Sequence, residues 1–240
     1  MKELYGLAEV HWPLEDLYAR TVENGETYEV LKYFWKGLNK IYEERKRKVR
    51  NFLQKYKPKV LFCEGSSSSE LRNPTTLVKV IWLDDHSESY KRFMRGLGSI
   101  HSKYEPLLQK LIRSASSWED KAELQRIAKK LEILEARKEE EISRYEIENW
   151  SLITVKREKE WAETILENYE FPSCIIAGAY HFMGDLKNEL KLLINSTRSR
   201  VFYSVVVSLL DRHKNLNKTL TYFLKRGGIK LKVTDCLFVL

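Results

Sequence analysis

The sequence is poor in the residues that cross-link or punctuate a chain. Its 240 residues include three cysteines, five prolines and ten glycines. Cys63, Cys174 and Cys236 stand alone, which excludes zinc-ribbon and CxxC redox spacings. Each lies in an apolar stretch, where a free thiol acts as a small core residue. Long hydrophobic runs are also missing. The longest, near 201–210, is interrupted by serines and is too short to span a bilayer. The first ten residues carry Lys2, Glu3 and Glu9, so they do not read as a signal peptide. These absences give the expectation of a soluble cytoplasmic protein. No repeat or low-complexity segment stands out.

What is present is charge of both signs, with 42 basic against 34 acidic side chains and a net charge of +8. An excess of this size permits nucleic-acid binding without demanding it. Lys and Glu dominate and Gln is scarce, a surface composition of the thermophile kind. The apolar fraction of 43% is that of a globular chain with a real core, not of a disordered one.

Residues 3–10 read as a strand, and Pro13 suits the first turn of a short helix ending at Asn24-Gly25. A helix over about 27–56 follows, with Leu31, Phe34, Leu38, Ile41, Val49, Phe52 and Leu53 at helical spacing. Lys57-Pro58 stops it before the strand 60–63. Strand, helical crossover, strand is a βαβ unit, which makes the two strands parallel. After a polar loop at Gly65 and Ser66–Ser69, residues 77–83 read as a further strand. The stretch from about His101 to Asn149 is charged, nearly free of Gly and Pro, and reads as two helices. Ser114–Ser117 separates them and Ser117 to Asp120 offers a capping-box-like restart. A helix at 154–169, a strand at 174–177, a short helix at 184–193, a β-rich run at 201–209 and a helix at about 214–225 follow. Gly227-Gly228 closes that last helix, and strands near 229–233 and 237–240 end the chain. The expected fold is α/β: one domain over 1–240, a mostly parallel central sheet flanked by helices, with a helical excursion at about 101–149.

Three apolar runs stop at polar side chains. Leu4 to Val10 ends at His11, Val60 to Cys63 at Glu64, and Cys174 to Tyr180 at His181. Such runs suit buried parallel strands, and ligands of open α/β sheets bind beyond the carboxyl ends of the strands. Two imidazoles and a carboxylate would then share one edge. Gly178 and Gly184 flank His181 and give it a strand-to-helix turn. Taken singly, His181 reads either as a site residue or as a histidine bonded to backbone. His11 alone reads as a partly exposed histidine, and Glu64 alone as a surface carboxylate. Asp84-Asp85-His86 reads as a solvated loop rather than an ion site, because neighbours on a strand point to opposite faces. His101 and His213 read as surface residues.

The order of these motifs resembles the TraB/PrgY–Tiki group, in a superfamily that also includes erythromycin esterases and ChaN-like proteins. The matching pieces are strand–His11, then Lys57-Pro58-Lys59-Val60-Leu61-Phe62-Cys63-Glu64, then Arg157 with Trp161, Ala162 and Ile165, then Gly178 to His181 and Gly184. Family members carry two GxxH motifs, a strand-terminal glutamate and an Arg-containing helix motif. The first GxxH aligns with Ala8-Glu9-Val10-His11, so alanine stands where the family has glycine. The resemblance implies a hydrolase acting on peptide or ester bonds. It implies that His11, Glu64 and His181 are catalytic or bind a divalent ion (Mn, Co or Zn), and that Arg157 steadies a carboxylate or an oxyanion.

Two other classes fit the same chain. One is a non-catalytic binding protein on this fold, for which Ala8-Glu9 marks the loss of activity. The other is a nucleic-acid-binding protein using Arg45-Lys46-Arg47-Lys48 with Arg50 and Lys55, although mixed charges on a helix favour a solvated face. A homo-oligomer built on the central helices is compatible with the sequence, and internal packing of their apolar positions is favoured over it.

Overall fold

A computed structural model describes residues 2–11, 43–65, 78–115, 120–182 and 219–239. The expected helix after Pro13, the start of the helix at 27, the loop at 66–69, the helix at 184–193, the run at 201–209 and the start of the helix at 214 lie outside those residues. So does His213.

The chain divides into two compact units, Met1–His86 with Glu158–Leu240, and Ser87–Arg157. Among the described residues of the first, five strands form a wholly parallel sheet: β1 (Lys2–His11), β2 (Val60–Cys63), β3 (Lys79–Trp82), β4 (Ser173–Gly178) and β5 (Ile229–Val239). Their spatial order is β3-β2-β4-β1-β5, and every pairing is parallel. β2 and β4 are buried along their whole length, as their unbroken apolar runs require of strands covered on both faces.

Side chains alternate between two helical layers. On one face Leu4, Ala8, Phe62, Ile175 and Ala177 pack with Trp161 and Ile165 of α4 (Arg157–Asn168) and Leu220 and Leu224 of α5 (Thr219–Arg226). On the other, Leu7, Leu61, Cys63, Cys174 and Ile176 meet Val49 and Phe52 of α1, described over 43–56. Cys63, Cys174 and Cys236 are free and buried in these layers. α1 ends where Lys57 turns to a φ of 43° and its amide donates to Leu53 O at 2.8 Å, a left-handed helix end followed by Pro58. α5 ends at Gly227-Gly228, and Gly228 has a φ of 79°.

The two expected terminal strands are one. Gly6 pairs with Val233 and Leu7 with Asp235, which leaves Thr234 as a bulge inside a continuous β5. The expected strand at 77–83 is shorter, because Leu83–His86 turns into a 3₁₀ segment.

The second unit holds α2 (Glu88–Ala115) and α3 (Lys121–Glu148), then a π-helical turn at Leu152–Lys156. α2 begins at Glu88, well before His101, with Ser87 Oγ accepting the Tyr90 amide at 3.1 Å as its cap. α3 is capped by Asp120, whose side chain accepts the Ala122 amide at 2.8 Å. Ile100, Tyr104 and Leu108 of α2 pack on Leu131, Leu134, Ile142 and Tyr145 of α3. No described helix is long and apolar enough to cross a membrane.

Candidate functional site

Because all five strands run the same way, their carboxyl ends share one edge, and the polar residues that end the apolar runs collect there. Glu64 follows β2 directly. Its amide donates to Ile176 O at 3.1 Å and its carbonyl accepts the Asp84 amide at 3.0 Å, so its backbone extends the ladder on both sides. Its side chain then crosses to the end of β4. One carboxylate oxygen accepts the Gly178 amide at 2.6 Å and the other lies 3.2 Å from His181 Nε2.

His181 sits in the 3₁₀ turn Ala179–Phe182 that follows β4. Its second ring nitrogen, Nδ1, is 2.9 Å from Glu158 Oε1. The other Glu158 oxygen accepts the Leu220 amide of α5 at 3.1 Å. The Trp161 ring lies against the imidazole with centroids 4.5 Å apart and planes tilted by 51°. Glu158 and Trp161 are one turn apart on α4 and so present the same face.

The three ionisable groups form a line of increasing depth. Glu64 is 26% exposed, His181 5% and Glu158 0%. Burial by itself lowers the His181 pKa. The charge of Glu64 and the hydrogen bonds to Glu158 and Glu64 outweigh it, and push the pKa up to about 9. Near neutral pH both ring nitrogens therefore carry protons and both donate, one to each carboxylate.

Two of the residues singled out in the sequence, Glu64 and His181, are thus in contact. His11 closes β1 opposite Val239, at the same edge of the sheet; its side chain lies outside what is described. Arg157, the first residue of α4, is the last residue of the second unit, and within that unit its guanidinium lies over the Tyr90 ring at 4.5 Å. From this helix it is the neighbouring Glu158, together with Trp161, that meets His181. In linear sequence Glu158 is hidden among the charges from Lys156 to Glu160. A signal was there, since Glu158, Trp161, Ala162 and Ile165 follow the i, i+3, i+4, i+7 spacing of a buried stripe, and a carboxylate on such a stripe needs a partner.

Two further expectations change. Asp84 is buried, beside Gly65, whereas Asp85 and His86 are exposed as a solvated loop would have them. The basic stretch on α1 is only partly a solvated face. Arg45 turns inward to Glu9, with Nη2 and Nε at 2.8 and 3.3 Å from Oε1, and Lys48 donates to Cys236 O at 3.0 Å. Arg47 and Arg50 are exposed, as is His101.

Among the described residues no three His, Cys, Asp or Glu side chains are grouped as a metal site. The donor chemistry of the pair fits part of one. Two ligands each about 2 Å from an ion lie roughly 3 Å apart, close to the 3.2 Å between His181 Nε2 and Glu64. A carboxylate on the remote imidazole nitrogen, where Glu158 stands, is the usual support of a metal-binding histidine. An ion would have to displace the Nε2 proton, so binding would weaken as pH falls.

No protein-family model matches the chain, and no curated protein or solved structure matches it.

Proposed function

We propose that the chain is a hydrolase of peptide or ester bonds, of the TraB/Tiki kind, with Glu64 and His181 at its centre. The observation that carries this reading is a buried histidine in contact with a partly exposed carboxylate, beyond the carboxyl ends of a parallel sheet. Open α/β sheets place their ligands there, and a carboxylate beside an imidazole is a general acid–base pair.

Glu64 is the member that reaches solvent, so it is the group to take the proton from an attacking water. The water oxygen adds to the carbonyl carbon of the scissile bond, and the bond to the leaving group then breaks. The leaving oxygen or nitrogen takes the proton held by Glu64. His181, protonated, supplies positive charge next to the carboxylate and the developing oxyanion. If His181, Glu64 and His11 hold a divalent ion (Mn, Co or Zn), it would polarise the carbonyl and acidify the water.

Purified protein would be screened against ester and peptide substrates as prepared, after chelation, and after addition of Mn, Co or Zn. Hydrolysis lost on substitution of either His11 or His181 by Ala supports the reading. Hydrolysis retained in the double substitution overturns it.

One observation favours a second reading, in which the edge binds or holds the fold without catalysis: both His181 nitrogens are occupied by carboxylates and the ring is 5% exposed. Under that reading Glu64→Gln alters stability and ligand binding, with no hydrolysis in the native protein to lose.

A further inference from the structure

The Glu158 carboxylate has no access to solvent and sits on the buried stripe of α4 between the imidazole and the Leu220 amide of α5. A charge in that place is costly unless it is fully engaged. Both of its oxygens are: one faces His181 Nδ1 at 2.9 Å, the other accepts the Leu220 amide at 3.1 Å. The Leu220 amide therefore fixes the carboxylate as well as satisfying it. One turn along α4, Trp161 bounds the face of the same imidazole. The ring is therefore held in its plane by Trp161 and about its own axis by Glu158.

We propose that Glu158 is a positioning residue: anchored by Leu220, it engages Nδ1 and so makes Nε2 the nitrogen that His181 presents to Glu64 and the sheet edge. The consequence for catalysis rests on the hydrolase reading; the positioning itself does not. With Nδ1 engaged, the Nε2 proton of the imidazolium points at Glu64 and the reacting region. With Glu158 removed, the ring is free to turn over and either nitrogen can face Glu64. A carboxylate behind an imidazole in this way typically changes activity or metal affinity by about 10- to 100-fold.

The test is the Nδ1 proton of His181, observed in ¹⁵N-histidine-labelled protein at fixed neutral pH. It should be strongly downfield and slow to exchange with solvent in the native protein and in Glu64→Gln. It should be lost or fast-exchanging in Glu158→Gln and regained in part in Glu158→Asp. In a hydrolysis assay, Glu158→Gln should lower kcat by about tenfold or more with little change in KM. An unchanged Nδ1 proton in folded Glu158→Gln overturns the proposal. Should that variant not fold, the native protein and Glu64→Gln decide it, because a native Nδ1 proton that exchanges freely, or one that Glu64→Gln abolishes, contradicts the assignment. An Nδ1 proton that behaves as expected without detectable hydrolysis upholds the positioning and counts against the hydrolase reading alone.

Discussion

Glu64 and Gly178 lie 114 residues apart, yet the Gly178 amide donates to the Glu64 carboxylate at 2.6 Å. This contact joins the carboxyl ends of β2 and β4, two central strands, at the point where the backbone ladder between them gives out. It fixes one Glu64 oxygen and leaves the other for His181. The edge is thereby built into the sheet, with Glu64, His181 and Glu158 engaged with one another and with backbone amides.

The first expectation concerns pH. The His181 pKa is raised from 6.5 to about 9 in the folded protein, so the folded state holds its proton more tightly than the unfolded state. The associated stability is fully present below about pH 6.5 and is lost as pH rises through 9. At roughly 1.4 kcal/mol per pKa unit the whole step is about 3 kcal/mol. Urea unfolding at pH 6, 8 and 10 should show this fall, and His181→Gln should flatten it. A stability that rises between pH 7 and 10 in the native protein, or an equal slope in the variant, would contradict the assignment.

The second concerns the ion pair of Glu9 and Arg45, whose side chains are only 11% and 12% exposed. Removing one partner takes away a charge-assisted contact at a largely enclosed place, so Glu9→Gln or Arg45→Met alone should lower stability by about 1–3 kcal/mol. The double variant should be no worse than either single one. A double-mutant cycle by chemical denaturation reads this directly, and strictly additive losses would show that the pair is not coupled.

Much of the fold is legible because the sheet is buried on both faces. Val60–Cys63 and Cys174–Ala177 are uninterrupted apolar runs, and the polar residue that stops each one marks the carboxyl edge. Glu64 and His181 were readable for that reason. Glu158 was harder, since linear context surrounds it with Lys156, Lys159 and Glu160, and only helical phase relative to Trp161 separates it from them. The single strand β5 was hidden by Thr234 and Asp235, which look like a strand end until the bulge opposite Gly6 and Leu7 accounts for them. Likewise Gly96 and Gly98 argue against a helix locally, but α2 runs through both because its packing outweighs their low propensity. The inward turn of Arg45 depends on a partner 36 residues away, which no local pattern carries.

Those two glycines give the third expectation, within the α2–α3 unit. A side-chain carbon at Gly96 would overlap the Tyr145 phenol, which donates to Phe93 O at 3.2 Å. At Gly98 it would meet nothing within 4 Å. Gly96→Ala should therefore destabilise the protein by about 1–3 kcal/mol. Gly98→Ala should stabilise it by up to about 1 kcal/mol through helix propensity. Thermal unfolding followed by circular dichroism distinguishes the two, and shifts of the same sign would contradict the packing of Tyr145 on α2.

The central claim is that Glu64, backed by His181, moves the proton in a hydrolytic step. Its most direct test is the rate of hydrolysis by Glu64→Gln, a change that keeps the size of the side chain and removes its charge. General acid–base groups contribute typically 10²- to 10⁴-fold. The rate on the best ester or peptide substrate should fall by at least about 100-fold in a variant whose circular dichroism spectrum remains native. A folded Glu64→Gln protein that hydrolyses the substrate at the native rate would contradict the account.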